Sequence, residues 1–441
     1  MSYVNYFSRP YLYLRNLCWN LGKFCLFGLL LLSGFIRPLS AQQLFIPMDE
    51  NQANHLKAYG LIFNHLTEGG KATWLLNYRG GSFMTDENAE LVREARLKNI
   101  SVEVISSSQA ARITQEVESP GSNTSIVNLE KAPRIAVYTP DQALPWDDAV
   151  TLALSYAEID YDKIWDVEVL QGGLQNYDWL HLHHEDFTGQ YGKFWASYRN
   201  NPWYITQVKQ MEAIATELGF NKVSDQKLAV AKTIKEYVGK GGFLFAMCSG
   251  TDTFDVALAA EGIDIAPTPF DGDPVDPNTQ ESLDYSATLA FENFTINLNP
   301  AEYEHADIDV PVAINEIDQS LDFFTLFEFS AKWDPVPTML TQNHVSSVRG
   351  FYGQTTAFRS DKIKSSVVVL GESPGREQAK YIHGTFGQGT YTFYAGHDPE
   401  DYTHRVNDPP TDLALHPNSP GYRLILNNIL FPAAKKKKQK T

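Results

Sequence analysis

The sequence carries one cysteine in a position suited to covalent chemistry. Cys248 directly follows the apolar segment 243–247, which is typical of a buried strand, and precedes segment 251–260, which has the pattern of a helix. A side chain on such a sharp strand-to-helix turn is lifted out of the sheet. The helix N-terminus behind the turn stabilises negative charge on a sulfur or a developing oxyanion. This spacing predicts a nucleophile for acyl transfer, with Ser249 and Gly250 in an oxyanion loop.

The number of cysteines leaves two interpretations of this thiol. Cys18 and Cys25 lie in a leader-like N-terminal segment, so the processed chain would keep Cys248 alone and form no intramolecular disulfide. A single thiol in an oxidising compartment is either buried and inert or reactive and retained for chemistry. Both interpretations stay open at the level of the sequence.

A second group of chemically competent side chains ends another predicted strand. Segment 177–184 alternates like a strand, which sends His181 and His183 to one face of the sheet and His184 to the other. Ligand sites in open parallel sheets collect at the carboxyl ends of strands. We therefore expect this strand end to form a wall of the site and a substrate or oxyanion loop that contains His183, His184, Glu185 and Asp186.

The same histidines raise the question of a metal. A His-x-His pair with nearby carboxylates can bind zinc. Segment 181–186, however, lacks a distant partner at a recognised spacing, and the acidic segment 271–276 does not match a known calcium loop. We therefore predict no metal and no cofactor, and we expect the polar side chains of both segments to pack loops.

The elements that position these residues fall into two groups. Residues 42–110 show a β-α-β-α-β pattern, which predicts a small N-terminal α/β unit with a parallel sheet, and the polar stretch 111–132 has the composition of a linker. From 133 to 434 strands alternate with helices, and segment 166–170 is assigned as a strand. This alternation predicts a doubly wound parallel sheet. An acidic insertion over about 264–320 is expected near the mouth of the site.

The segment around the cysteine carries a family resemblance. Ala246-Met247-Cys248-Ser249-Gly250 resembles the Gly-x-Cys-x-Gly elbow of class I glutamine amidotransferases, with alanine in place of the first glycine. The resemblance implies a flavodoxin-like fold and a catalytic histidine after a late strand, a position held here by His397 after segment 389–396. Glu400 or Asp398 would then orient that histidine. The superfamily spaces these residues as His-x-Glu, whereas this chain has His-x-x-Glu.

The C-terminal part carries a second resemblance. Segments 387–400 and 422–430 resemble trehalose-utilisation-type proteins, which share the fold but usually lack the cysteine. This resemblance implies a sugar-binding module without catalysis. Its polar pocket would be lined by His181, His183, His184 and His397.

A third resemblance is to an exported bacterial family often labelled asparagine synthetase B. It is carried by the segments Asn54–Gly60, Asn77–Ser82 and His183–Gly189. We do not expect ATP-dependent asparagine synthesis, because the predicted mature start, Gln42, is not a cysteine. Segment 249–253 also lacks the second glycine with which such an ATP loop cradles phosphate.

Charge and termini bear on location and partners. The formal net charge of −17 at pH 7 disfavours a nucleic-acid partner, because a phosphate-binding surface needs a basic face. Residues 1–41 contain basic but no acidic side chains around the apolar run 24–32, which is the layout of a signal peptide. We expect export to the periplasm or cell surface, with membrane contact only through an uncleaved leader. Residues 435–441 form a basic tail.

Three functions from different classes follow from these observations. The first is an exported, cysteine-dependent amide or ester hydrolase that uses Cys248 and His397 on a small-molecule, glycan or peptide substrate. The second is the non-catalytic, sugar-binding module, in which Cys248 is structural. The third is a surface interaction module with a shallow or blocked pocket. The reactivity of the Cys248 thiol separates the first from the others.

Overall fold

The computed structural model describes Met1 and residues 42–142, 144–311 and 317–434. The protein is a mixed α/β structure with a small antiparallel sheet and a large mixed sheet. The predicted signal peptide, 1–41, and basic tail, 435–441, lie outside the described residues. Within the described part of the chain, no helix is long and apolar enough to span a bilayer.

The small sheet contains five strands in the order β4-β1-β3-β2-β5, and every pair is antiparallel. Its strands are β1 (Gln42–Ile46), β2 (Ala72–Leu76), β3 (Ser82–Asp86), β4 (Glu103–Ser106) and β5 (Ser125–Leu129). The helices of this region are α1 (His55–Thr67), α2 (Ala89–Leu97) and α3 (Ser107–Val117).

The parallel sheet predicted for residues 42–110 is wrong, and the reason is a strand that the sequence analysis missed. Segment 77–81 reverses the chain in a tight turn in which Arg79, Gly80 and Gly81 all have positive φ. So short a connection can only join antiparallel strands, and β2 and β3 accordingly form a hairpin. The predicted linker, 111–132, is likewise not irregular, since it contains most of α3 and all of β5.

The large sheet has ten strands, of which five are parallel neighbours. The parallel strands are β6 (Ile135–Tyr138), β7 (Asp162–Ile164), β8 (Trp179–Leu182), β9 (Phe243–Met247) and β15 (Gly389–Tyr394), in the order β7-β6-β8-β9-β15. An antiparallel extension continues from β15 through β14 (Gln378–Phe386), β13 (Val368–Ser373), β10 (Phe323–Leu326) and β11 (Ser347–Arg349), with β12 (Phe358–Arg359) beside β14. The prediction of a parallel sheet is therefore confirmed for one half of the large sheet only.

Helices cover both faces of the large sheet. The described helices that follow residue 142 are α4 (Ala149–Ala157), α5 (Asp166–Leu170), α6 (Trp195–Tyr198), α7 (Pro202–Glu217), α8 (Val223–Gly239), α9 (Ser249–Ala259), α10 (Thr268–Asp271), α11 (Thr279–Ser282), α12 (Pro335–Leu340) and α13 (Pro420–Leu430). Residues of α1, α4 and α13 share one apolar core with one face of the sheet, and residues of α8 and α9 share a second core with the other face.

The segment 166–170, predicted as a strand, is the helix α5. Its first residue, Asp166, is fully buried and accepts hydrogen bonds from the ammonium group of Lys227 at 2.9 Å and from the Tyr138 hydroxyl. The Glu168 carboxylate caps the helix by accepting from the backbone N–H of Trp165 at 3.0 Å. This buried ion pair and the cap outweigh the apolar alternation that suggested a strand.

A buried arginine joins the two sheets. Arg423 on α13 is fully buried, and its guanidinium donates to the carbonyl oxygen of Met48 at 2.9 Å, to that of Gly80 and to the Tyr59 hydroxyl at 3.2 Å. Met48 follows β1, and Gly80 lies in the β2–β3 turn. The small sheet is thus tied to the helix layer of the large one through charge-assisted hydrogen bonds.

Stability should fall in mild acid because of buried neutral histidines. Burial lowers the pKa of His383 to about 4, and its ring contacts the Thr392 hydroxyl at 3.0 Å. Between about pH 7 and pH 5 an unfolded histidine gains a proton while His383 stays neutral, which should cost about 2 kcal/mol of unfolding free energy. Urea unfolding at both pH values measures this loss. His383→Gln should show a smaller pH dependence than the native protein, and an unchanged one would contradict the assignment.

Candidate functional site

Cys248 occupies a strained turn between β9 and α9. Its backbone has φ 48° and ψ −137°, in a region that side chains other than glycine rarely adopt. The carbonyl group of Cys248 accepts from the backbone N–H of Thr251 at 3.2 Å and from its hydroxyl at 2.6 Å, which holds the turn. The predicted strand-to-helix elbow is present, with the helix beginning at Ser249. The sulfur therefore lies at the carboxyl edge of the parallel strands.

Relief of this strain gives a measurable prediction. Cys248→Gly and Cys248→Ala both remove the sulfur, but only glycine adopts this backbone conformation without a Cβ clash. We expect the glycine variant to be more stable than the alanine variant by about 1–3 kcal/mol in urea unfolding. Equal stability of the two variants would mean that the elbow stores no strain.

His397 lies opposite Cys248, after the end of β15. A ring nitrogen of His397 and the sulfur of Cys248 are within 4.8 Å of each other. The backbone N–H of His397 donates to the carbonyl oxygen of Tyr352 at 2.8 Å, and a Cβ on Gly353 would lie only 2.7 Å from the His397 nitrogen. The loop 351–356 can pack this closely because position 353 is glycine. The sequence-predicted sulfur and imidazole therefore meet in space.

The loop that supports His397 also contacts the sulfur. The backbone N–H of Gln354 donates to Sγ of Cys248 at 3.3 Å. Behind the loop, the buried ammonium of Lys380 donates to the carbonyl oxygens of Phe351 and Thr356. Burial lowers the pKa of Lys380 to about 8, so it is charged at neutral pH. The loop thus brings a donor amide and a positive charge close to the sulfur.

The acid beside His397 is neither of the two predicted ones. Asp398 is fully buried, but its carboxylate accepts from the Tyr422 hydroxyl at 2.7 Å and from the backbone N–H of Glu400 at 2.8 Å. The Glu400 carboxylate faces His416 at 3.1 Å. The carboxylate of Asp147 lies instead 3.9 Å from Nε2 of His397. Because Asp398 and Glu400 are used by their own loop, the role predicted for them as orienting acids is not supported by these contacts.

Asp147 and the histidines around it form a charge-coupled group. Burial opposes charge on His397, but the carboxylate of Asp147 and the sulfur of Cys248 raise its pKa to about 10. Burial would raise the pKa of Asp147, but His397 and His404 lower it. The ring of His404 stacks on His397 at a centroid distance of 4.2 Å, and its Nε2 lies 2.9 Å from Asp147. His397 is therefore protonated at neutral pH.

His183 and His184 both reach the site, although alternation along the strand predicted opposite faces. The strand β8 ends at Leu182, so alternation no longer applies beyond it. The two rings stack on each other at 4.0 Å, and each lies 4.7 Å from the ring of His397. The loop histidines predicted from sequence thus lie beside the sulfur and the imidazole.

The predicted acids of this loop have structural contacts instead. Glu185 accepts from the backbone N–H of His183 at 2.7 Å, and burial raises its pKa to about 7. Asp186 accepts from the backbone N–H groups of Thr188 at 2.7 Å and Gly192 at 2.8 Å. These bonds fold the loop that follows β8. Glu185 and Asp186 therefore shape the loop that forms this wall of the site.

The two residues after the cysteine have different environments. The backbone N–H of Gly250 donates to the carbonyl oxygen of His183 at 2.8 Å, and a Cβ at position 250 would lie 3.1 Å from that oxygen. Gly250 thus permits close packing of α9 on the loop and does not offer its amide to a ligand. Ser249 is the first residue of the helix, where a backbone N–H has no partner within the helix. Its amide is the candidate oxyanion donor.

Sequence reasoning missed Asp147, Asp148 and His404. Asp148 caps α4 through the backbone N–H of Thr151 at 2.8 Å, and its other oxygen lies 3.0 Å from His181 and 3.2 Å from His183. Both aspartates follow β6, the first parallel strand, so the rule that ligand sites gather at strand ends could have found them. No comparable sequence signal marks His404, which lies in a loop after β15.

A cavity of about 600 Å³ opens over these residues. Cys248, His184, His397 and His404 line it, although Cys248 itself is only 3% exposed. Aromatic side chains form much of the remaining wall, and the predicted acidic insertion contributes to it as well. The aromatic residues are Trp146, Phe194, Tyr198, Tyr303 and Tyr352, and the insertion supplies Tyr303, Glu304 and Pro311.

Comparisons with known proteins add little to this geometry. No family model and no curated protein matches the chain. Among solved structures it is similar to cytoplasmic protein STM3548 from Salmonella typhimurium, with a TM-score of 0.32 and 12% identity over 69% of this chain and 100% of that one. Cytoplasmic protein STM1381 from Salmonella typhimurium LT2 gives a TM-score of 0.32 and 12% identity over 68% of this chain and 100% of that one. Gan42B, a GH42 beta-galactosidase, gives a TM-score of 0.25 and 8% identity, and the match covers 60% of this chain and 28% of that one. These TM-scores are too low to assign a fold family or a function.

Proposed function

We propose that this protein is a cysteine-dependent amide or ester hydrolase. Cys248 is the nucleophile, His397 is the proton carrier and Asp147 is the acid that stabilises the imidazolium. The observation that carries the proposal is the meeting of the strained cysteine elbow with His397 at the floor of one cavity. An inert structural cysteine would need neither the strain nor the imidazole.

The reaction proceeds through an acyl-enzyme. The proton of the Cys248 thiol resides on His397, and the sulfur attacks the substrate carbonyl carbon to form a C–S bond. The oxyanion that develops accepts a hydrogen bond from the backbone N–H of Ser249 at the positive end of α9. Collapse of this intermediate breaks the bond to the leaving amine or alcohol, which takes the proton from His397.

Hydrolysis of the thioester then restores the enzyme. His397 accepts a proton from water as the water oxygen attacks the acyl carbon, and the C–S bond then breaks, which releases the carboxylic acid and restores the sulfur anion beside protonated His397. Asp147 stabilises the imidazolium in both halves of the reaction, since its carboxylate lies 3.9 Å from Nε2. Water enters through the cavity.

Mass spectrometry of the intact native protein tests this proposal. With p-nitrophenyl acetate we expect a burst of nitrophenol and the addition of one acetyl group to the peptide that contains Cys248. Cys248→Ser is the matched control, because it keeps the size of the side chain and loses the thiolate. Labelling that needs prior denaturation, or that is equal in both proteins, would rule out the hydrolase.

We also propose a family and a location for this hydrolase. The parallel strand order β7-β6-β8-β9-β15, numbered along the chain, is the 2-1-3-4-5 order of flavodoxin-like sheets. This order, together with the elbow, supports membership of the class I glutamine amidotransferase-like superfamily. Export to the periplasm or cell surface rests on the composition of residues 1–41 alone.

The aromatic wall of the cavity supports a second candidate function, the sugar-binding module. The ring centroids of Trp146 and Phe194 lie 5.3 Å apart, and aromatic rings of this kind stack on the apolar faces of sugars. Quenching of tryptophan fluorescence by neutral oligosaccharides tests this alternative. A module without catalysis would bind equally well in the native protein and in Cys248→Ser, and would show no acylation.

A further inference from the structure

Two histidines at the site have no role in acyl transfer as described above. His183 is 1% exposed, and its Nε2 has no hydrogen-bond partner among the described residues. A buried polar atom without a partner costs about 1–3 kcal/mol and calls for an explanation. The ring of His184 lies parallel to it at 4.0 Å and also faces the cavity.

These two histidines belong to a compact set of metal-binding atoms. One side-chain atom from each of His183, His184, Cys248 and His397 lies within 4.8 Å of all the others. Ligand atoms in a tetrahedral zinc site lie roughly 3.3–3.7 Å apart, so side-chain movements of about 1 Å would complete the geometry. A set of imidazoles and one thiolate suits zinc and related thiophilic ions.

The surroundings of the histidines match those of metal ligands. In metal sites, the second ring nitrogen of a histidine usually binds a carboxylate or a backbone carbonyl group. Nδ1 of His183 lies 3.2 Å from the carboxylate of Asp148, and Nε2 of His184 donates to the carbonyl oxygen of Asp147 at 2.8 Å. These contacts leave Nε2 of His183 and Nδ1 of His184 for a ligand.

We propose that His183, His184, Cys248 and His397 bind a thiophilic divalent cation such as Zn²⁺, which reversibly blocks the nucleophile. Four protein ligands fill a tetrahedral shell, so the ion has no open position for a catalytic water. Its thiolate bond also withdraws the sulfur from attack on a carbonyl. The ion is therefore an inhibitor of acyl transfer and not its cofactor.

Cobalt(II) titration of the full-length, chelator-stripped protein tests the site without any substrate. We expect saturation at one equivalent, the visible bands of tetrahedral Co²⁺ and a thiolate-to-cobalt charge-transfer band, all lost on addition of Zn²⁺. Cys248→Ser should lose the charge-transfer band, and His184→Ala should weaken binding at least about tenfold. Asp148→Asn, which keeps the helix cap of α4, should weaken binding about 10–100-fold.

His416→Ala is the control, because this histidine pairs with Glu400 outside the site and its loss should leave binding unchanged. Absence of stoichiometric binding would overturn the proposal. Binding that is equal in the native protein, Cys248→Ser and His184→Ala would also overturn it, by placing the ion elsewhere. Acylation of a protein that binds no cobalt would refute this inference and leave the hydrolase intact. The inhibitory role of the ion rests on the proposed hydrolase, so cobalt binding without acylation would leave the metal site intact and remove both the hydrolase and that role.

Discussion

Replacing Cys248 by alanine should reduce the turnover of an activated ester at least about 10³-fold, because removing the nucleophile of a covalent hydrolase abolishes the acyl-enzyme route. Only the cavity and the oxyanion donor would remain. Steady-state hydrolysis of p-nitrophenyl acetate by the purified variant measures the loss, and circular dichroism establishes that the variant is folded.

The size of the remaining activity decides the interpretation. A nucleophile at another position would leave Cys248→Ala with more than about a tenth of the native rate. That result would contradict the assignment of the site even if the variant were fully folded. The effect of the substitution on the free energy of unfolding is measured separately, by comparing Cys248→Gly with Cys248→Ala in urea.

Replacing Asp147 by asparagine should reduce turnover about 10²–10⁴-fold, because the imidazolium of His397 then loses its neighbouring charge. The pKa of His397, raised to about 10 by Asp147 and Cys248, should fall in the variant. Since the leaving group takes its proton from His397, the alkaline limit of activity should move to lower pH. A pH–rate profile of both proteins measures the shift.

Glu400→Gln is the matched control for Asp147→Asn, since Glu400 was the acid predicted from the sequence and faces His416 at 3.1 Å. We expect its turnover to stay within about threefold of the native rate. A large loss in Glu400→Gln together with a small loss in Asp147→Asn would restore the original assignment.

Local sequence patterns predicted the elements whose burial pattern is strong. The sequence predicts strand β9 with its observed bounds, because its five residues are all apolar and a strand-to-helix turn follows them directly. The direction of strands was harder, because it depends on which strands pair. Residues 82–86 show how one missed strand turned a predicted parallel unit into an antiparallel sheet.

Site residues were predictable where a strand end marks them. Cys248, His183, His184 and His397 all follow parallel strands, and they meet in the structure. Asp398 and Glu400 are close to His397 along the chain, but their carboxylates contact Tyr422 and His416, whereas Asp147 lies 3.9 Å from Nε2 of His397. Likewise, a search for metal ligands at recognised spacings does not detect a set assembled from three separate strand ends.

The buried Arg423 has a consequence for the modularity of the chain. Removing the N-terminal sheet would leave its guanidinium without the Met48 and Gly80 acceptors, and would bare the apolar sides of α4 and α13. Residues 133–434 expressed alone should therefore aggregate instead of folding. Limited proteolysis should release no stably folded fragment from either side of residue 132. Gene recombination, in evolution or in the laboratory, would therefore have to transfer the segments of both sheets as one unit.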